Sequence, residues 1–433
     1  MTDSVHLSQL LGRSIVDRRG EAVGRLSDVV VRLQGDAYPL VIGIAAKVAR
    51  REVFVPAGGI GELSQAPLQL ARQTVDVRRF ERREGEVLLR ADVLRHRLID
   101  VADARLVRAW DVELVHGPEG WSVCAVDTHR PSRLFRRGSG AMAQGKEDWK
   151  ALEPLIGHAA SATLRGPFGR VKRLKPAQIA DLLEDASKEE GTEILDVVHS
   201  DPELEADVFE EIDPDLQSRL FGARTNDQVA DVLAHMRADD AADAVAELPQ
   251  SRRQPVLDLL PAGQRTRVLT LLGFNPGSAG GLMGVDFVSV PATADVAAAL
   301  HAVRVATAVQ PEALTGIYTH DEFGQLAGFV RLTTLVQSAP DVRLAEIGES
   351  DPVHVHADSD VIDVALLMSD YNLVTIPVAD DEHHVVGVIT VDDVLEATIP
   401  EDWRRREPAP HPEPAPAELS TEEPATSPES PVG

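Results

Sequence analysis

YNLVTIPVADDEHHVVGVITVDDVL, residues Tyr371–Leu395, is the stretch on which the reading of the fold turns. Apolar, largely β-branched residues run from Ile376 to Ala379 and again from Val385 to Thr390, with the polar DDEHH between them. That is a strand, a turn and a second strand. VDDVL then opens a helix, with acids in its first turn, where the helix dipole favours them. The stretch has a partner upstream. IYTHDEFGQLAGFVRLTTL, from Ile317, returns as IPVADDEHHVVGVITVDDV, from Ile376, and VSVPATADV (Val288–Val296) returns as VHVHADSDV (Val353–Val361). Each copy reads strand, helix, strand, turn, strand, helix, over residues 276–340 and 341–406.

N-terminal to this duplication the period changes. From Leu174 to Phe274, helix starts marked by Pro or polar residues recur every 11–14 positions: Pro176, Lys188, Pro202, Pro214, Asp227, Asp240, Ser251 and Ala262. Paired aliphatics such as Leu182-Leu183 and Val232-Leu233 follow them. Helices this short bury little alone, so residues 172–275 are expected to stack into an α-helical superhelix.

Residues 1–135 hold another repeat. LLGRSIVDRRGEAVGRLSDVVV, from Leu10, recurs as VLRHRLIDVADARLVRAWDVEL, from Val93, placing Asp17 on Asp100, Arg25 on Arg108 and Asp28 on Asp111. Two small β-barrel-like units, about 5–80 and 87–130, are expected. They resemble the PRC-barrel family, although Gly12, Gly20 and Gly24 of the first copy become Arg95, Asp103 and Val107 in the second. The basic stretch Pro131–Lys146 reads as a linker. Trp149, Leu152, Leu155 and Ile156 read as the stripe of a docking helix within 136–171. The Pro/Glu/Ser-rich tail, 407–433, is expected to be disordered.

The composition narrows the function. The 433 residues suggest about three domains. Residues 1–137 hold 22 Lys and Arg against 18 Asp and Glu, whereas the remainder holds 21 against 52. Nucleic acid is a poor partner for that acidic majority, because its binding rests on neutralising phosphates; divalent cations suit it better. The longest uncharged apolar run, Pro39–Ala46, is far short of a membrane helix. Without a signal-like N-terminus and with Cys124 alone, the chain reads as a soluble cytoplasmic protein. No P-loop, nucleophile motif or HExxH occurs, so an enzyme is not expected.

The unit around GVITVDDV resembles a tandem CBS pair, which implies adenine-nucleotide binding at a strand–turn–helix junction. Gly387, Thr390 and Asp393 fit that pattern: backbone amides and the Thr hydroxyl reach phosphate and the Asp accepts from ribose. The first copy keeps Gly328 but has Arg331 and Thr334 in place of the hydroxyl and the acid. With the helical region and the junction SAGGLM (Ser278–Met283), the span Lys172–Arg406 resembles the cytosolic portion of the MgtE magnesium-transporter family. The acidic pair usual before Ser-Ala-Gly in that family is Pro276-Gly277 here. The family's membrane domain is not expected in the sequence, so this chain is not expected to conduct magnesium alone.

Magnesium is a hard ion that keeps several waters and takes one or two carboxylates. Asp239, Asp240 and Asp243 place two acids one turn apart, as do Asp392, Asp393 and Glu396. The resemblance implies that both clusters are interfacial Mg2+ ligands. The expectation is a magnesium-sensing regulatory protein whose superhelix and CBS pair repel when ion-free and close around Mg2+. It implies a homodimer through the CBS pair and a membrane-transporter partner. Two alternatives stand beside it: an adenine-nucleotide-responsive CBS regulator, and a PRC-barrel scaffold or RNA-processing accessory protein. His354, His356, His383 and His384 could suggest zinc, but exposed strand and turn positions account for them.

Overall fold

The computed structural model describes residues 3–33, 37–71, 80–83, 85–129, 145–155, 170–307 and 309–400. The expected tail, the basic run Arg133–Arg137 and Ile156 lie outside this set. The chain divides into two compact units, Met1–Asp286 and Phe287–Gly433, each described here by itself.

The first unit begins with a curled sheet. Its strands are β1 (Ser4–His6), β2 (Ser14–Val16), β3 (Ala22–Arg32), β4 (Leu40–Val48), β5 (Arg51–Pro56), β6 (Leu68–Gln69) and β7 (Glu86–Leu88). The second repeat supplies β8 (Arg97–Asp100), β9 (Arg105–Arg108), β10 (Asp111–Gly117) and β11 (Gly120–Asp127). The two copies do not form two separate barrels. Strands of both interlock in one sheet of order β1-β10-β11-β4-β3-β2-β6, with β5 on β4 and β7 on β3, while β8 and β9 pair with each other in a separate three-stranded sheet. Thus β1, which leads the first copy, pairs with β10 of the second, and β7, which leads the second, pairs with β3 of the first.

The repeated aspartates show why. Asp28 accepts the backbone N–H groups of Arg90 and Ala91 at 2.7 and 3.1 Å, capping the helical turn Leu89–Val93 of the other copy. Asp111 accepts the N–H of Ser8 at 3.0 Å and its hydroxyl, capping the short helix Leu7–Leu10 of the first copy. Each copy therefore satisfies the orphan amides of the other's helix. Asp17 and Asp100, by contrast, serve their own turns, at 2.8 Å to Arg19 N and 3.1 Å to Ala102 N. The lost glycine at Arg95 did not change the backbone: Arg95 keeps φ +70° where Gly12 has +79°. One aliphatic core, including Leu10, Leu26, Val93 and Leu114, runs through both copies.

The expected docking helix is a correction. Trp149 lies in a 3-10 turn between β12 (Lys146–Asp148) and β13 (Leu152–Pro154), and β13 pairs with β8. A helix through this stripe would put Pro154 in its interior, without an N–H to donate. Trp149 and Leu152 are nevertheless buried in the barrel core.

Eight helices follow, numbered here α1 (Pro176–Asp185), α2 (Lys188–Val198), α3 (Pro202–Glu211), α4 (Pro214–Gly222), α5 (Asn226–Leu233), α6 (Ala238–Glu247), α7 (Gln250–Leu259) and α8 (Ala262–Leu271). Expected starts at Asp227, Asp240 and Ser251 fall one or two residues late. At the first of these, Thr225 and Gln228 form a capping box that opens α5 at Asn226. Alternate helices pack on one another, α1 on α3, α3 on α5 and α5 on α7, with α4 on α6 and α6 on α8 in a second row. Arg97 of β8 joins the barrel to this stack through Glu190 of α2, with Nε at 2.9 Å. Stacking is how ten-residue helices, marginal alone, become stable. After α8, Gly281 of the SAGGLM turn lies against the Asn275 carbonyl, which a Cβ would meet at 2.4 Å.

The second unit is a structural duplication. In the first copy β14 (Ser289–Pro291) pairs in parallel with β15 (Gly316–His320), which pairs antiparallel with β16 (Leu326–Arg331). In the second, β18 (Val355–His356), β19 (Thr375–Ala379) and β20 (Val385–Thr390) repeat the arrangement, with β17 (Glu349–Ser350) between the copies on β16. The register shifts at matching places, Thr319/His320 and Val378/Ala379. Both hairpin turns are held by an aspartate accepting two amides, Asp321 from Phe323 and Gln325, Asp380 from Glu382 and His384.

Candidate functional site

The first acidic cluster sits on α6. Ala238, Ala241, Ala242, Ala244 and Val245 bury one face of that helix, so the acids take the other. Asp240 is held by Arg237, Nε to Oδ2 at 2.6 Å. Arg237 also reaches Glu210 of α3, donating its backbone N–H at 2.6 Å, with Nε 3.3 Å from the carboxylate. On the other side Asp243 lies near Asp239 and Glu247. Asp243 keeps exposed surface but stands in a crowded setting, and that desolvation, followed by the charges of Asp239 and Glu247, pushes its carboxyl up to about 6. Burial pushes Glu210 up to about 7, with Asp207 and Asp239 adding to the rise against the hydrogen bond from Arg237. Asp207 is raised too, first by burial and then by Glu203.

Acids of two helices are thus gathered here close enough to raise one another's pKa, a setting in which a dication is favoured. Glu210 and Asp207 were not named from the sequence. They lie some thirty residues before α6, and only the stacking of alternate helices brings them near; no spacing rule reports such a contact.

Elsewhere on the stack a buried acid is well matched. Glu205, 4% exposed, meets Arg224 at 2.6 Å and His199 at 2.8 Å, while Arg224 lies over the Phe209 ring.

The second acidic cluster lies on α9 (Val391–Thr398), the last helix among the described residues of the second unit. Asp392 and Glu396 are exposed, one turn apart. Asp393 is buried and already engaged. Its Oδ2 accepts the Thr390 N–H at 3.1 Å and hydroxyl at 2.6 Å, and the Thr390 hydroxyl accepts the Asp393 N–H at 3.5 Å. Gly387 lies across from Val378 in the β19–β20 ladder. Two of the three residues assigned to nucleotide are therefore partners of one another in the capping box.

A cleft of about 200 Å³ lies at the equivalent place of the first copy, lined by Thr315, Tyr318, Arg331, Thr333, Val374 and Thr375 among others. Thr315 and Thr375 hydroxyls meet there at 3.0 Å. Burial pushes Tyr318 up to about 12, so it stays a neutral phenol. The first copy has lost the acid expected to hold ribose but keeps the space.

The histidines are not scattered. The His383 ring is 5.6 Å from that of His354, which is 6.3 Å from His356. Cys124 is half-buried against Glu113, and burial followed by that carboxylate pushes its thiol up to about 12, which leaves it unreactive.

An interlocked β-barrel, a stack of short acidic helices and a duplicated α/β unit define a multidomain α+β protein. Family models match an MgtE intracellular N domain at residues 174–277, a CBS domain at 344–399 and a PRC-barrel domain at 2–66. The chain therefore carries these three domains in the order barrel, MgtE N domain, CBS domain. The first copy of the CBS duplication is identified by its topology. The magnesium transporter MgtE of Thermus thermophilus is 42% identical over 118 residues, 27% of this chain and 26% of that protein. The magnesium transporter MgtE of Enterococcus faecalis is 31% identical over 126 residues, 29% of this chain and 28% of that protein. The chain thus spans about a quarter of the length of these relatives. A solved structure of the cytosolic domain of the Mg2+ channel MgtE in complex with ATP aligns over 55% of this chain and 93% of that one, with TM-score 0.50 and 29% identity. Among the described residues, no helix is long and apolar enough to cross a membrane.

Proposed function

We propose that this protein is a cytoplasmic magnesium-sensing regulatory protein, in which Mg2+ shared between the acidic face of α6 and that of α9 draws the helical region and the CBS pair together. The observation that carries this reading is the acid crowding around Asp239, Asp243 and Glu210, where burial and like charge lift two carboxyls to about 6 and 7. A hydrated dication relieves that repulsion without needing a rigid cage. Asp239, Asp240 and Asp243 would supply one side, and Asp392, Asp393 and Glu396 the other. Similarity to magnesium transporters supports the choice of ion, and binding shifts the conformation only so far as the ion prefers the closed state.

The output passes to a partner, proposed to be a membrane magnesium transporter. A homodimer through the CBS pair fits the apolar surface of this unit: Ile362 and Leu366, each 57% exposed, on the helix Val361–Tyr371, and Leu395 at 49% on α9. A second reading, adenine-nucleotide control, is favoured by the cleft between Tyr318 and Thr375.

Scattering profiles in EDTA and in millimolar Mg2+ test the main reading. The radius of gyration is expected to fall with Mg2+. The variant carrying Asp239→Asn, Asp243→Asn, Asp392→Asn and Glu396→Gln is expected to lose that response. Equal radii in both buffers, or contraction of the variant, overturns it. Calorimetry with ATP, ADP and AMP tests the second reading.

A further inference from the structure

The turn between β19 and β20 brings three side chains of metal-ligand type together outside the acidic clusters already described. One ligand atom each of Asp380, Glu382 and His384 lies within 4.8 Å of the other two. We propose that these three residues form a site for a divalent transition-metal ion of the manganese-to-zinc series, separate from the magnesium sites.

The argument starts from the His384 ring. Its Nε2 is 3.1 Å from the Phe323 carbonyl, and its Nδ1 is 3.2 Å from Asp380 Oδ2. Both neighbours are acceptors, and a neutral imidazole has one N–H. The Phe323 carbonyl is placed to take the Nε2 proton, while Nδ1 faces Asp380 and shares with its carboxylate a proton that a metal ion would displace. A histidine oriented through its far nitrogen by a backbone carbonyl is the usual arrangement of a metal ligand. The orienting carbonyl belongs to the hairpin of the other CBS copy. That hairpin is tied to this one by Leu326 N–H to the His383 carbonyl at 2.8 Å and by the Gln325 amide to the Glu382 carbonyl at 2.9 Å. The ring is therefore held by a contact outside the cluster.

Asp380 is oriented as well. Its Oδ1 accepts the amides of Glu382 and His384 at 3.0 and 2.8 Å, which leaves Oδ2 toward the ring. Ligands at bonds of about 2.0–2.2 Å lie roughly 3 Å apart, so the exposed Glu382 side chain must swing inward by an ångström or two. One imidazole and two carboxylates suit Mn2+ through Zn2+, whereas Mg2+ demands oxygen throughout. Next door, the ring of His383, on the same turn, lies 5.6 Å from that of His354, which lies 6.3 Å from that of His356. Imidazoles therefore stand close to this turn.

The test uses the full chain and Co2+ as probe, read by its visible absorption and competed with Zn2+. Saturable absorption is expected that Zn2+ abolishes and a hundredfold excess of Mg2+ leaves intact. Asp380→Asn keeps the turn's amide bonds through its side-chain carbonyl, and Asp380→Asn with His384→Gln should weaken Co2+ at least tenfold while far-UV circular dichroism stays unchanged. His354→Gln with His356→Gln should weaken it by less. Absence of a saturable Co2+ signal, wild-type affinity in the Asp380/His384 variant, or loss of binding in the His354/His356 variant alone overturns the proposal. Equal displacement by Mg2+ does so too.

Discussion

Two acidic helices of this protein share one sequence pattern and differ in electrostatic state. On α6, Asp239 and Asp243 stand one turn apart; on α9, Asp392 and Glu396 do. On α9 both acids stand in solvent, and Asp392 lies in the helix's first turn, where the dipole favours it. The α6 acids share their surroundings with Glu247 and with Glu210 from a neighbouring helix, and Asp243 and Glu210 are lifted well above the ordinary carboxylate range. Spacing on one helix therefore does not decide what an acid does. What decides it is the number of other acids that the packing brings within range, and the number of bases set against them.

Glu205 sharpens the point, because it is more buried than any acid of the α6 cluster yet has two basic partners. Removing one should expose the cost of burial without a counter-charge. Arg224→Ala is expected to destabilise the helical region by about 3 kcal/mol, since it strands a buried carboxylate; urea unfolding at pH 7.5 measures it, and a loss below about 1 kcal/mol would contradict the account of Glu205.

The contrast at α9 is between its exposed acids and Asp393. Thr390→Ala removes a side-chain cap and leaves Asp393 with one donor fewer, at a cost of about 1–2 kcal/mol, visible as faster amide exchange in α9. Unchanged exchange would mean the capping box contributes little.

Proton linkage separates the two helices further. Glu210 and Asp243 have raised folded-state pKa values, so the folded protein binds more protons than the unfolded chain. Their unfavourable contribution is absent below the ordinary carboxylate pKa, grows as pH rises toward about 7, and is constant above it. Mg2+ must displace those protons, so the shift in Tm on adding Mg2+ should grow between pH 5 and 7.5 and then level off. A shift independent of pH would detach the α6 cluster from the metal response. Glu190 runs the other way. Its ion pair with Arg97 holds it down to about 2, so its stabilisation is present above the ordinary carboxylate pKa and is lost as pH falls toward 2.

The smallest expected effects differ in sign. In EDTA at pH 8, Asp243→Asn should stabilise the protein by a few tenths of a kcal/mol by relieving repulsion, by analogy with like-charged helix pairs. Asp392→Asn should destabilise it by a similar amount, because it removes a favourable N-terminal charge. Thermal melts of the two variants decide this, and the same sign in both would erase the distinction drawn between the helices.

Much of the architecture was legible before any coordinates. The duplication around Tyr371–Leu395, the period of the short helices and the barrel repeat are local patterns, fixed by strand and helix spacing, and the structure places elements on them within a residue or two. The stripe at Trp149–Leu155 was legible as apolar but not as a helix, because one 3-10 turn followed by a strand buries the same residues and accommodates Pro154.

What the chain alone determined are the properties that act within one turn or hairpin: the caps at Asp17, Thr225 and Thr390, the pairing of hydrophobic faces, and the acids at i and i+4. Tertiary structure alone decided that Asp28 and Asp111 each cap the other repeat's helix, that Glu210 joins the α6 acids, and that the Phe323 carbonyl of one repeat orients His384 of the other. The reason is physical. Local spacing sets which way a side chain points, but electrostatic and hydrogen-bonding partners are chosen by distance in space, and in this protein those partners lie about 30 to 100 residues apart along the chain.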